Sequence, residues 1–326
     1  MADITTSYMG LDLISPIIVG SSGLTNKLDN IRTFEQLGAG AVVLKSLFEE
    51  QIQHEALYEV HHNEAMYPEA FDYISNYSKE HHLNRYLDLI NQASNTVKIP
   101  IIASVNCISG EEWTSFAQKF EAAGASAIEL NIFILPSDPY RTSSDNEQLY
   151  SKIISQVLQS VTIPVSIKIS YYFSSLAKTV TEMSWTGIKG IVLFNRFYSP
   201  DIDIEKMKVD ASNVFSTPEE ISTSLRWIAM LSKNLQCDVC ASTGIHDGVG
   251  VVKQMLVGAK AVQIVSTLYK NGFDRITSMN KFLNDWMERK GFNSTNEFIG
   301  NLSYKKIENP AAFERVQFMK YFAGVE

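Results

Sequence analysis

At 326 residues the chain is long enough for one α/β barrel or two smaller domains. Its 45% apolar and 20% charged content is that of a globular protein and excludes disordered and fibrous classes. With 28 basic against 36 acidic residues the net charge is −8, and no Lys/Arg run exceeds two, which argues against a nucleic-acid partner. No run approaches the ~18 apolar residues of a membrane span, and MADITTSYMGLDL lacks a basic-then-apolar leader pattern, so the expectation is a cytoplasmic protein with no membrane span.

In chain order, short apolar runs bounded by polar punctuation predict strands at 16–22, 41–46, 100–106, 125–132, 164–170, 187–195, 237–243 and 259–267. Helical patterns separate them. Two carry capping boxes, Ser109-Gly110-Glu111-Glu112 and Thr217-Pro218-Glu219-Glu220, the second with Pro at the first helical position. Eight βα units predict an α/β fold of the (β/α)8 TIM-barrel type, one domain over residues 1–326. No G-x-G-x-x-G follows the first strand, as a dinucleotide fold would require. Two long excursions, 48–79 after strand two and 196–216 after strand six, are expected to cover the C-terminal mouth. Beyond Asp285 the tail reads as helical.

Alternation within the strands sorts the residues by face. Strand five places Val165, Ile167 and Ile169 on one side and Ser166, Lys168 and Ser170 on the other; strand four separates Glu129 and Asn131 from Ile128, Leu130 and Ile132. In a barrel the apolar face meets the helices, and the polar residues at the strand ends converge on the mouth. That mouth is predicted to contain Ser21, Ser22 and Gly23; Lys45 and Ser46; Asn106; Asn131; Lys168; Asn195; Ser242, Thr243 and Gly244; and Ser266 and Thr267. Any one Ser or Asn at a strand end is ordinary. Two lysines on buried strands are not, because burying an unpartnered ammonium is costly and a bound anion or electron-rich ring would satisfy it.

Only Cys107, Cys237 and Cys240 are present, too few and too unevenly spaced for a disulfide framework or a four-thiolate cluster. The CDVC spacing falls on a strand, where an offset of three sends the two thiols to opposite faces, so both read as buried structural cysteines. The doublets His61-His62 and His81-His82 lack metal-ligand spacing, and no metal site is expected.

The segment CASTGIHDGVGVVKQMLVGAKAVQIVST, residues 240–267, resembles the flavin-phosphate motif of the dihydroorotate dehydrogenase family. Ala241, Gly244, Ile245, Asp247, Val251, Gly258 and Ala259 stand at matching positions; Thr243 stands where the family has the first Gly of a pair, and Val265 where it has Gly. A Gly-containing turn into a helix N-terminus suits a phosphate dianion. SPIIVGSSG, AVVLKS, ELN, IPVSIKIS and LFN resemble further pieces of the family in its order along the barrel. The resemblance implies FMN held by Ser21, Ser22, Gly23, Lys45, Ser46, Asn106, Asn131, Lys168, Asn195, Thr243, Gly244, Ser266 and Thr267. It implies a place in pyrimidine biosynthesis, a small acidic substrate bound by Lys45, Asn63, Asn131, Asn195 and Arg196, an electron acceptor of unknown identity and a homodimer.

The family's soluble class follows the strand-four asparagine with a Cys that acts as base. Here the run is Ile132-Phe133-Ile134-Leu135-Pro136, and no cysteine occurs between Cys107 and Cys237. Ser137, Asp138 and Tyr140 are the candidates left for that base. In the substrate-loop run 63–69, Asn63 and Pro68 match while the Gly and second Asn are lost. Three functions follow: an FMN-dependent dehydrogenase of CH–CH groups passing hydride from a dihydroorotate-like acid to flavin N5; a flavin-binding electron-transfer or regulatory partner that has lost this chemistry; or a flavin-free lyase with Lys168 as nucleophile.

Overall fold

The computed structural model describes residues 2–48, 68–107, 110–196, 200–210 and 214–314. Eight parallel strands form the centre: β1 (Ile17–Val19), β2 (Ala41–Val43), β3 (Ile101–Asn106), β4 (Ala127–Asn131), β5 (Val165–Ile169), β6 (Gly190–Leu193), β7 (Asp238–Ser242) and β8 (Ala261–Ile264). β1 pairs with β8 as well as β2, and the β2–β3 pairing closes the sheet into a (β/α)8 TIM barrel. Each lies inside its predicted range and is shorter, because the flanking residues leave the ladder to build the loops.

The helices are α1 (Leu28–Gln36), α2 (Pro68–Thr96), α3 (Gly110–Ala122), α4 (Ser143–Ser160), α5 (Leu176–Ser184), α6 (Ile221–Leu231), α7 (Gly248–Val257) and α8 (Arg275–Lys290). Their apolar stripes meet the outward strand residues, such as Ile128, Leu130, Ile167, Ile169 and Val262, in one continuous core. The expected Thr217–Glu220 capping box is formed and opens the turn into α6, whereas Ser109 lies outside the described residues. A box absent from the sequence reading, Thr142 with Asp145, starts α4.

The lower barrel interior is a second apolar cluster of Ile18, Ala41, Val43, Ile102, Ala127, Val192, Cys240 and Ala261. An antiparallel hairpin, Thr6–Tyr8 with Leu11–Leu13, plugs it from below. Met9 and Gly10 both have positive φ, as a primed two-residue turn requires. Tyr8 is 1% exposed, and Met9 N donates to Asp238 Oδ2 at 2.9 Å. Gly190 faces this plug: a Cβ there would lie 2.6 Å from Tyr8 Oη and 2.7 Å from Met9 Cγ. Gly190→Ala is therefore expected to cost about 1–3 kcal/mol by overpacking, measured as a lower urea midpoint.

After β2, Leu47–Phe48 forms a short strand against β3, and α2 covers Pro68–Thr96, so the described later part of the expected excursion is helix. After β6, the excursion contains the hairpin Asp201–Asp203 with Lys208–Asp210. The expectation of a helical tail beyond Asp285 is corrected by the structure. α8 stops at Lys290 because Gly291 takes the left-handed conformation, φ 75, as a C-cap. The chain then packs through Phe292 and Phe298 against Trp286, with a 3-10 turn at Thr295–Glu297, and the described residues end in the helical segment Ala311–Glu314. No helix among the described residues is long and apolar enough to cross a membrane.

Candidate functional site

Above the apolar floor the inward residues turn polar, and the strand parity decides which ones. Register sets Glu129 between Ser104 and Ser166, Lys168 between Asn131 and Val192, and Gln263 between Ser242 and Ile18. Lys168 Nζ donates to Gln263 Oε1 at 2.8 Å, and Gln263 Nε2 donates to Glu129 Oε2 at 2.5 Å. The result is a buried relay from β5 through β8 to β4. Burial pushes the Glu129 carboxyl above its ordinary range, while Lys168 and the Gln263 hydrogen bond pull the other way. Sequence reading missed Gln263, although it shares the face of Val265 two residues on and was visible by parity alone.

A second string of contacts crosses the front of the barrel. Ser21 Oγ lies 3.1 Å from Ser46 Oγ and accepts from Ser46 N at 2.8 Å; Ser46 Oγ lies 2.7 Å from Ser104 Oγ. Asn131 Nδ2 reaches Ser46 Oγ at 3.5 Å, and Asn195 Nδ2 donates to Asn131 Oδ1. The structure thus joins Ser21, Ser46, Asn131 and Asn195, all predicted site residues, through one network that Ser104 completes. Lys168 stands in the other, with Glu129 and Gln263. Among the cavities beside them, two hold most of the predicted mouth residues. One of about 220 Å³ is lined by Ser21, Lys168, Asn195, Thr243, Gly244 and Ser266, among others. The other, about 470 Å³, takes in Lys45 and Ser46 with His82, Arg85 and Tyr86 of α2.

The remaining predicted residues have distinct settings. Asn106 is half-buried opposite Phe48. Ser22 N donates to Thr25 Oγ1 at the start of a short 3-10 turn, and Gly23 lies against the Tyr269 hydroxyl. Thr267 is fully buried, its hydroxyl donating to the His246 carbonyl at 3.0 Å, so its side chain turns away from the cavity. Arg196 lines the smaller cavity, yet its Nε donates to both oxygens of Glu220, at 3.2 and 3.3 Å. Ser137, Asp138 and Tyr140 sit on the exposed loop after β4; Asp138 Oδ1 accepts from Tyr140 N, and none of the three lines either cavity. Asn63, His61 and His62 lie outside the described residues.

At the ends of β7 and β8 the backbone takes over. Thr243 and Gly244 have φ of 75 and 78, the left-handed region that disfavours Thr and suits Gly. A Cβ on Gly244 would lie 2.1 Å from Ile221 N, so only glycine lets the turn approach α6. Ser266 and Thr267 open a short helix, and the first N–H groups of a helix have no intrahelical acceptor. Val265 projects onto Gly20, where a Cβ would meet Val265 Cγ2 at 2.9 Å. Of the CDVC cysteines Cys240 is buried as expected and Cys237 is half-buried; burial pushes the Cys237 thiol up to about 12 and that of Cys240 well above its ordinary value, which disfavours the thiolate. Among the described residues, no group of three or more His, Cys, Asp or Glu is placed to hold a metal ion.

His246 was also missed. It is largely buried, with Nε2 3.0 Å from Ser216 Oγ; Ser216 N donates to Ser266 Oγ and Lys270 Nζ to the Ser216 carbonyl. Burial, then Lys270, holds its pKa below the ordinary 6.5. The unfolded chain therefore binds this proton more readily, and stability is expected to fall as pH drops below about 6.5 toward the folded-state pKa. Urea midpoints across that window should be flatter with pH in His246→Gln.

Eight parallel strands that gather a buried ammonium, an amide pair and a left-handed strand-seven turn at one end define a (β/α)8 barrel whose polar side chains converge on its C-terminal mouth. The family model for dihydroorotate dehydrogenase matches residues 3–287, and the chain belongs to that flavin-dependent family of dehydrogenases acting on CH–CH groups. Among curated relatives, the "Dihydroorotate dehydrogenase B (NAD(+)), catalytic subunit" of Thermoplasma volcanium is 27% identical over 92% of this chain and 98% of its own length. The protein of the same name from Thermoplasma acidophilum is 25% identical over 92% and 99%. A "Putative dihydroorotate dehydrogenase A (fumarate)" from Aeropyrum pernix is 25% identical over 65% and 70%.

Proposed function

We propose that this protein is an FMN-dependent dehydrogenase that oxidises a CH–CH bond in a small dihydroorotate-like acid. The observation that carries the reading is Lys168: an ammonium 8% exposed, aimed into the mouth cavity and held by an amide instead of a carboxylate. The residues present fit a flavin. Lys168 and Lys45 supply positive charge for an electron-rich ring; Ser21, Ser22, Gly23, Ser46 and Asn106 supply hydroxyl, amide and backbone groups along its edge. Thr243, Gly244, Ser266 and Thr267 would receive the phosphate through backbone N–H groups at the turn and the helix start. FMN, when bound, supplies an acceptor for hydride at N5.

The chain's own residues then bind and orient the substrate. The Asn131–Asn195 amide pair, joined at the mouth, presents donors and acceptors to an acid or amide. Arg196 would have to exchange Glu220 for a substrate carboxylate. No residue is assigned as the base, since Ser137, Asp138 and Tyr140 of the loop after β4 line neither cavity. The relatives named as catalytic subunits support a partner subunit as the route for electrons.

The experiment is the visible spectrum of the purified protein, followed by anaerobic dihydroorotate. Flavin bands that bleach support the assignment. Bands that persist favour the second reading, a flavoprotein that has left dihydroorotate chemistry, for which the cysteine-free β4 loop is the specific observation. A colourless protein that refuses added FMN overturns the cofactor assignment.

A further inference from the structure

The relay beneath the mouth contains more than the positioned lysine. Glu129 is 1% exposed, on the inner face of β4, and its Oε2 accepts from Gln263 while its Oε1 has no hydrogen-bond partner among the described residues. A fully buried carboxylate oxygen without a donor is either desolvated at a cost or ready to take a proton. The amide of Gln263 transmits what that carboxylate is: a carboxylate accepts only, so Gln263 turns its NH₂ toward Glu129 and leaves its carbonyl for Lys168. The carboxylate and ammonium are thus coupled through one side chain, in a region of low dielectric where charge acts strongly.

We propose that Glu129 is a proton-linked counter-charge to Lys168: through Gln263 it fixes the ammonium at the cofactor's position, and it takes up one proton when the cofactor there gains negative charge. The proposal rests on the flavin reading and deepens it. With Glu129 ionised, the relay is neutral, the carboxylate cancelling the ammonium. With Glu129 protonated on Oε1, Gln263 keeps its bond to Oε2 and the relay carries one net positive charge. A flavin bound there would gain one negative charge on accepting hydride from the substrate, and the compensating proton, drawn from solvent, would go to Glu129. No other described group facing Glu129 is suited to the role. Lys168 from β5 is the ammonium that Glu129 opposes, and Tyr8 of the basal hairpin, Tyr86 of α2 and Cys240 of β7 are all held protonated by burial.

The test is the flavin midpoint potential as a function of pH, in the FMN-loaded wild type and in Glu129→Gln. Gln keeps a carbonyl to accept from Gln263 and cannot ionise. The expected wild-type curve bends where Glu129 titrates. Glu129→Gln is expected to lack the bend, to sit at a more positive potential on the alkaline side, and to converge with wild type on the acid side. On the alkaline side the preference for reduced over oxidised flavin should rise roughly ten- to a hundredfold. Superimposable curves, or a wild-type curve with no bend, overturn the proposal, and the second arm needs no variant to fold. A protein that binds FMN in both forms and shows superimposable curves leaves the flavin reading standing while the relay fails. One that takes up no FMN overturns both.

Discussion

Lys168→Met is expected to weaken FMN binding on the order of ten- to a hundredfold, read by titrating the apoprotein with flavin and following fluorescence quenching. Methionine fills much of the volume and removes the charge. Gln263 Oε1 then loses its donor, and Glu129 loses the cation that opposes its desolvation, so its carboxyl rises further. The same variant should shift the flavin potential negative, opposite in sign to Glu129→Gln. An unchanged flavin affinity would remove Lys168 from the cofactor site. The flavin-free lyase reading, with Lys168 as nucleophile, would require a wild type that takes up no FMN, and the 2.8 Å bond to Gln263 argues against it by holding the nitrogen as a donor.

The second large effect is expected at Gly244. Gly244→Ala should cost about 3–5 kcal/mol, combining a left-handed conformation with a Cβ placed 2.1 Å from Ile221 N and 2.7 Å from Ile221 Cα. Backbone cannot yield as a side-chain tip can, so α6 must shift. The check is thermal unfolding without flavin, where the midpoint should fall by several degrees, followed by comparison of FMN with riboflavin. In the wild type the phosphate should tighten binding; in Gly244→Ala that advantage should shrink. A variant as stable as wild type would mean that the turn relaxes at little cost. An undiminished phosphate advantage would place the phosphate elsewhere.

How far the sequence could be read depended on the range of the interactions. The eight strands were legible because each is a short apolar run with alternating polarity, and alternation is a property of five or six consecutive residues. Lys168, Asn131 and Asn195 were legible for the same reason: a polar side chain on the inner parity of a buried strand must find a partner or a ligand inside the barrel. Gln263 obeys the same rule, but a neutral amide within the strand, short of its polar end at Ser266 and Thr267, carries no charge to mark it. Arg196 shows the opposite limit. Its partner Glu220 was visible only as a capping residue, and nothing local announces that a β6-end guanidinium meets the first turn of α6. The substitution of Thr243 for glycine is read correctly as a departure, but its meaning, a positive φ borne by a β-branched residue whose hydroxyl donates to the Phe194 carbonyl, belongs to the fold.

The basal hairpin was invisible in the sequence for a related reason, and it constrains how the barrel is assembled. Its Met9 amide meets Asp238 across 229 positions and its Thr6 hydroxyl meets the Lys260 carbonyl across 254. During synthesis this segment emerges long before β6, β7 and β8 exist, so its contacts with Gly190, Asp238 and Lys260 can form only once those strands are made. Closure of the last strands and seating of the hairpin are therefore one late event, and the earliest-made contacts of the native state are not those of its earliest-made residues.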